Sequence, residues 1–289
     1  MSTAKSDSPA PPPIGGIQIT QGVIFRIPVG GLQIEFDADG LKGGEVRAVE
    51  LRLDTCVHWL EIAMEQLGVA KVAHEALIEN RAEGAAVDSS FLDREFRACM
   101  QAAVAAATFF EALYAASVQR TRDASPPKVL NLWGRLLEFV RSLRITRRGT
   151  RSERRPTRHK QVAEQLKNSF GLRRQGIANL KNVLRDIYKY RDEAVHPSNV
   201  FSPPYVHPEL NVGVERRFAM FGYAHVQLLV RAALAFSKIL PSRDMSKRPK
   251  EMQEFAAYLL KACEPLYARW ETMYGALIEG AQPPPPRHK

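Results

Sequence analysis

Residues 17–40, IQITQGVIFRIPVGGLQIEFDADG, alternate apolar and polar positions on both sides of Pro28-Val29-Gly30-Gly31. That two-residue period predicts a β-hairpin over residues 16–40. Two strands alone are marginal, so the ribbon must lie on other elements or pair with a partner. From Glu45 the period lengthens. Val46, Val49, Leu53, Val57, Leu60, Met64 and Leu67 recur at three and four, predicting one amphipathic helix that reaches Gly68 or, with a kink, about Arg81. A second helix is expected over about 90–121. Its alanine-rich stretch from Ala98 to Val118 is interrupted by Gln101 and Glu111, and it reads as a buried helix rather than a membrane span.

A third helix is expected from Pro126-Pro127, prolines suited to a first turn after Ser125, with Leu130, Trp133, Leu137, Val140 and Ile145 on its buried face. Gly149 and Pro156 break the pattern and make 141–160 a loop. A short helix from about Thr157 to Phe170 stops at Gly171, and another starts near Gly176. Beyond Pro197, a connection carrying Pro203, Pro204 and Pro208 leads to a helix over about 214–240, apolar nearly all round and ended by Pro241. A last helix within 248–279 carries Met252, Phe255, Leu259, Cys263, Leu266, Trp270, Met273 and Leu277, a near-heptad seam suited to packing or dimerisation. The pattern is that of a mainly α chain: a helical domain over 41–280 behind the hairpin, with a disordered leader (1–15) and tail (281–289).

Composition adds little to this picture. With 45% hydrophobic and 25% charged residues in 289, the chain has the make-up of a soluble globular protein. Cys56, Cys99 and Cys263 are too far apart for zinc pairs or a disulfide ladder, and read as small buried side chains in a reducing compartment. The leader has no apolar signal core, so a cytoplasmic location with no membrane association is expected. Charge changes more. The net charge is +10, and residues 141–160 hold nine Lys or Arg against Glu153 alone. The basicity is therefore one patch, with Arg147, Arg148, Arg151, Arg154, Arg155 and Arg158 at its centre. It suits phosphate chains through counterion release; a solvated loop without a ligand is the alternative.

The candidate chemistry lies in YRDEAVHPS, residues 190–198. On a helical wheel, Ile177, Leu180, Val183, Leu184, Ile187, Ala194 and Val195 share one arc, and Arg191 falls inside it. A guanidinium on that arc needs an anion: an internal carboxylate such as Glu111 or Glu193, or a bound phosphate. Pro197 forces the preceding residue out of the α region, so the helix is expected to end at His196 and free its imidazole toward the Arg191 face. Asp192, one turn earlier, is placed to accept from one ring nitrogen, and Tyr188 precedes it by another turn. The alternative for that row is an ordinary surface pair at a helix C-terminus. Together the residues suit phosphodiester cleavage, with Arg stabilising transition-state charge and His moving protons.

Arg191-Asp192-Glu193-Ala194-Val195-His196, an Arg, a polar residue and a His after a four-residue spacer, resembles the signature of the HEPN superfamily (higher eukaryotes and prokaryotes nucleotide-binding). The likeness covers about 90–240. It implies an antiparallel HEPN-like helical bundle, here with an N-terminal β-hairpin and an extra C-terminal helix. It further implies a metal-independent endoribonuclease acting as a homodimer on RNA by 2′-hydroxyl attack, in the manner of toxins and phage-defence effectors, with an antitoxin or regulatory protein as a further partner. By the same resemblance Arg191 would contact the scissile phosphate, His196 would act on the 2′-hydroxyl or the leaving oxygen, Asp192 would position its neighbours, and the basic loop would clamp the RNA backbone. Some members are catalytically silent RNA-binding or protein-interaction modules, which is the other reading.

No P-loop or Rossmann glycine pattern occurs, His74-Glu75 lacks a zincin's second histidine, and Cys56 with His58 lacks further ligands. No metal or cofactor is expected. His207, in the loop after the motif, either reaches the cleft as a second proton donor or is an exposed loop histidine.

Overall fold

The computed structural model describes residues 21–27, 32–37, 40–46, 50–82, 88–123, 157–196, 201 and 203–278. The expected third helix, Pro197, both proline-rich ends and the basic residues Arg147, Arg148, Arg151, Arg154 and Arg155 lie outside them. The chain is mainly helical and divides into two compact units, Met1–Asp54 and Thr55–Lys289.

The first unit is built of strands and corrects two expectations. β1 (Val23–Arg26) pairs antiparallel not with its neighbour but with β4 (Glu50–Leu53), Val23 opposite Leu53. β2 (Leu32–Asp37) pairs with β3 (Gly40–Val46), with a register shift between Glu35 and Phe36. Only two residues, Ala38 and Asp39, separate β2 from β3 along the chain. Strands thus continue to Leu53, past the expected hairpin end at 40 and into the expected first helix. Val46, Val49 and Leu53 satisfy a helical spacing by coincidence. Glu50-Leu51-Arg52-Leu53 also satisfies alternation, and the long-range pairing with β1 decides between them.

In the second unit, α1 (Cys56–Ala82) begins only after Asp54-Thr55, residue types favoured before a first turn. α2 (Ser89–Asp123) is the central helix. It packs against α1, α3 (Arg158–Phe170), α4 (Arg174–Val195) and α6 (Tyr223–Ile239). Its buried Cys99, Ala102, Ala103, Ala106 and Ala107 are small, as are the buried Ala63 and Ala70 of α1, which lets the two axes approach closely. By length and composition alone Ser89–Thr121 could cross a membrane, and 56% of its most apolar stretch is buried inside the fold. Cys56, Cys99 and Cys263 are free thiols, all buried.

α3 stops at Gly171, whose left-handed backbone (φ 69°) lets its N–H bond Lys167 O at 2.9 Å. A Cβ at Gly171 would also come within 2.8 Å of Arg248 Nη2. Gly171→Ala is therefore expected to cost about 1–2 kcal/mol from the left-handed backbone alone, read as a lower urea midpoint at unchanged m-value. α4 ends where expected. His196 caps it at φ −102° and ψ 118°, the extended geometry imposed on a residue before proline.

β5 (Tyr205–Val206) and β6 (Gly213–Val214), strands of two residues each, pair antiparallel after the motif helix. The single helix expected over 214–240 is two: α5 (Arg216–Met220) and α6. Between them Phe221 turns into the core, edge-on to Phe96 (5.8 Å) and Tyr190 (5.5 Å). Gly222 is extended, and the Glu95 carboxylate accepts from Tyr223 N at 2.8 Å, so a side chain of α2 caps the new helix. α7 (Lys250–Tyr274) buries Met252, Phe255, Leu259, Cys263, Leu266 and Trp270 within this unit. Its seam packs against α1, α2 and α6.

Candidate functional site

Three helices bring polar residues together beside the end of α4. α2 supplies Glu111 and Tyr114, α3 supplies Arg158, and α4 supplies Tyr188, Arg191 and Asp192. Arg158 Nε donates to both Glu111 oxygens (3.0 and 3.1 Å), and its Nη2 donates to Oε2. Its guanidinium lies over the Tyr114 ring at 4.4 Å. Tyr188 Oη donates to Glu111 Oε1 at 2.6 Å. Partial burial works against ionising Glu111, but Arg158, Tyr188 and Arg191 outweigh it and hold the carboxyl below its ordinary range. Burial, and then the neighbouring Glu111 carboxylate, push Tyr188 well above the ordinary phenol value, so its hydroxyl stays protonated and donates.

Arg191 is not sealed in the core, as its place on the apolar arc suggested. Its side chain is 33% exposed, 5.4 Å from the Tyr188 ring centroid, with Nε (3.1 Å) and Nη2 (3.0 Å) on Asp192 Oδ1. Both carboxylates weighed for it serve other arginines: Glu111 takes Arg158, and Glu193 takes Arg216 at 3.0 Å. The wheel fixes a direction from the helix axis; it does not say whether a neighbour covers that direction, and here none does fully. Among the described residues the fold buries Arg120, 1% exposed, with its guanidinium 4.1 Å from the Phe255 ring centroid.

His196 is exposed, and among the described residues its ring has no hydrogen-bond partner. Asp192 turns to the guanidinium beside it instead, because a permanent cation offering two N–H groups outcompetes an imidazole. The expected Asp192–His196 bond is therefore not made. Arg158, expected in the basic loop, belongs instead to α3 and to this cluster, with its fork committed to Glu111. An exposed pair such as Arg191–Asp192 holds by about 0.2–1 kcal/mol, so a phosphate can take over the guanidinium at little cost.

A second polar cluster went unread in the sequence. His74 on α1 sits between two carboxylates, Nδ1 3.3 Å from Glu95 and Nε2 3.4 Å from Glu209, and stacks on Tyr223 at 5.0 Å. The Glu95 hydrogen bond, against the effect of burial and with help from Glu209 and Glu75, raises the His74 pKa. His207 is not an exposed loop histidine: it is 2% accessible, and Nδ1 accepts from the backbone N–H of Glu209 (3.4 Å) and Leu210 (3.3 Å). That places the proton of the neutral ring on Nε2. Burial lowers its pKa against the pull of Glu95 and Glu209. His207 Nε2 and Glu95 Oε2, a donor and an acceptor, are buried with no partner among the described residues. Among those residues no set of His, Cys, Asp and Glu side chains is arranged to hold a metal ion. The signal for this cluster was Glu95 itself, one turn before Cys99 on the buried stripe of α2.

In comparisons with known proteins, no family model, no curated protein and no solved structure matches this chain. What fold and site define is a mainly helical protein with an accessible arginine and an uncommitted histidine at the end of one helix.

Proposed function

We propose that the chain is a metal-independent endoribonuclease of HEPN type, with Arg191, Asp192 and His196 in the cleft of a homodimer. The observation that carries this reading is the state of Arg191: one-third exposed beside the Tyr188 ring, with its hydrogen bonds made to the exposed Asp192, and one turn from the point where α4 releases His196. In the proposed reaction Arg191 binds the scissile phosphate and displaces Asp192. The 2′-oxygen bonds to phosphorus as its proton leaves, and the bond to the 5′-oxygen breaks. The products are a 2′,3′-cyclic phosphate and a 5′-hydroxyl. His196 of one or both copies moves the protons. Tyr188 and Arg158 keep Glu111 occupied, so that it does not compete for Arg191. The basic stretch around Arg147, Arg148, Arg151, Arg154 and Arg155 adds backbone affinity. A toxin or phage-defence role, with a regulatory protein partner, follows from the same resemblance.

The test is incubation of the full chain with total RNA in chelator, followed by end-group analysis. Cyclic phosphate ends are expected; cleavage that needs added metal, or that leaves 3′-hydroxyl ends, overturns the reading. Arg191→Lys is expected to lower the rate about 10- to 100-fold. Lysine keeps the charge but not the planar fork, so the loss falls short of the about 10²–10³ for removing a transition-state donor outright. Initial rates on a labelled oligoribonucleotide check this.

One observation favours a second reading, a silent RNA-binding or protein-interaction module. Asp192 serves Arg191, which leaves the imidazole of His196 without an orienting carboxylate. Salt-sensitive RNA binding without product would select that reading.

A further inference from the structure

Beside the end of α4 lies a groove of about 250 Å³, lined by Trp59 and Gln66 of α1, Met100, Gln101 and Ala105 of α2, and Ala194 of α4 among others. Its walls are apolar except for two amides, one on each side. It is smaller than the about 300–1,000 Å³ of pockets that take drug-sized ligands, a size for one flat ring system. Its position tells more than its volume. Ala194 stands three residues after Arg191, about 4.5 Å along the helix axis, and two before His196. On α2, Gln101, Ala105, Thr108 and Glu111 follow at spacings of three and four, so groove and polar cluster share one stripe of that helix. Tyr188 meets Glu111, whereas Ala194, further along α4, meets the earlier residues of α2. The two helices therefore run antiparallel, and the groove opens on the His196 side of the cluster.

We propose that this groove binds the nucleobase next to the phosphate held by Arg191. This deepens the ribonuclease reading and rests on it for the phosphate. A ligand that spans both places must carry an anion at one end and, a short link away, a flat body that is apolar on its faces and polar at its edge; a nucleotide of single-stranded RNA has that form. Trp59 and Met100 offer an aromatic and a polarisable surface to the faces of a base. Gln66 and Gln101 each offer a donor and an acceptor to its edge. Single-stranded RNA is recognised in this way, with bases splayed out, stacked and read at their edges. An acyl chain would fill the groove without using either amide. The base contacts that the aromatic-poor stretch 141–160 cannot supply are thus provided by α1 and α2.

The test is calorimetric titration of the full chain in chelator with the four nucleoside 3′-monophosphates, ribose 3-phosphate and octyl phosphate. Nucleotides are expected to bind more tightly than ribose phosphate, and Trp59→Ala is expected to remove about 5-fold or more of that advantage, as for loss of a base–aromatic stack. Because Trp59 also touches the core, Gln101→Leu, at an exposed position, gives the second readout: the ranking of the four bases changes while the circular dichroism spectrum does not. The proposal falls if ribose phosphate binds as well as the nucleotides, if both variants leave the base ranking unchanged, or if octyl phosphate outcompetes every nucleotide. Base-independent phosphate binding that Arg191→Ala abolishes would sink the groove and spare the ribonuclease reading. Base-dependent binding that survives Arg191→Ala, in a chain that leaves RNA intact, would do the reverse.

Discussion

His196→Ala is expected to lower RNA cleavage in chelator by about 10²–10⁴-fold, the range for loss of a positioned acid or base. The fold has no stake in this side chain. It is exposed, makes no hydrogen bond among the described residues, and lies outside the last helical turn, whose closing bond runs from its backbone N–H to Asp192 O at 3.0 Å. Alanine keeps that N–H, so the melting temperature should stay within about 1–2 °C, as for a surface change within ±0.5 kcal/mol. A rate collapse at constant stability is what a proton-moving group produces and a packing group does not. Arg216→Gln is the matched control: it breaks the exposed pair with Glu193 on the same helix end and should leave cleavage within about twofold, as an exposed pair is worth under about 1 kcal/mol. If His196→Ala cleaves at the wild-type rate, the nuclease reading is lost, and the unoriented imidazole points to the silent module instead.

The features legible in the sequence are those set by local chemistry. Gly171 stops α3 because only a residue without Cβ takes its left-handed turn cheaply, and His196 ends α4 because Pro197 forbids it the helix; both are decided within a few residues. The amphipathic stripes of α4 and α7 were legible for a similar reason, since burying one face is what holds each helix. What failed depended on distant partners. The pairing of β1 with β4 skips over a complete hairpin, and no local period announces it. α5 and α6 are separated by a glycine and by a carboxylate 128 positions back in the chain, Glu95 at Tyr223. Arg191 and Arg120 look alike to a helical wheel, yet one meets solvent at a bundle end and the other the ring of Phe255. The Glu111–Arg158 pair joins positions 47 apart, a separation that no local pattern spans. The sequence pattern thus locates a reactive helix end, while the electrostatic environment around it is set by which helices the fold brings alongside.

Glu95→Ala is expected to destabilise the helical unit by about 2–4 kcal/mol, as for breaking a buried, hydrogen-bonded charge pair. The residue is 2% exposed, caps α6 through Tyr223 N and holds His74. Alanine strands both partners. Glu95→Gln separates the two roles, since an amide oxygen can still accept from Tyr223 N but no longer pairs with an imidazolium. The pH dependence carries a sign. His74 has its folded pKa raised above the ordinary 6.5, chiefly by Glu95. It therefore adds stability that is full below 6.5 and is lost as pH rises through the folded value. His207 has its folded pKa lowered by burial, so its contribution is full above 6.5 and is lost as pH falls through the folded value. In the wild type the two slopes oppose each other. In Glu95→Gln the His74 part falls to what Glu209 and Glu75 supply, so the deficit against wild type should be largest in mildly acidic buffer and shrink as pH rises past the elevated His74 pKa. Urea unfolding of both proteins at mildly acidic and alkaline pH measures this. A deficit that stays constant with pH would mean that Glu95 acts on the α6 terminus alone, and that His74 gains nothing from its carboxylate.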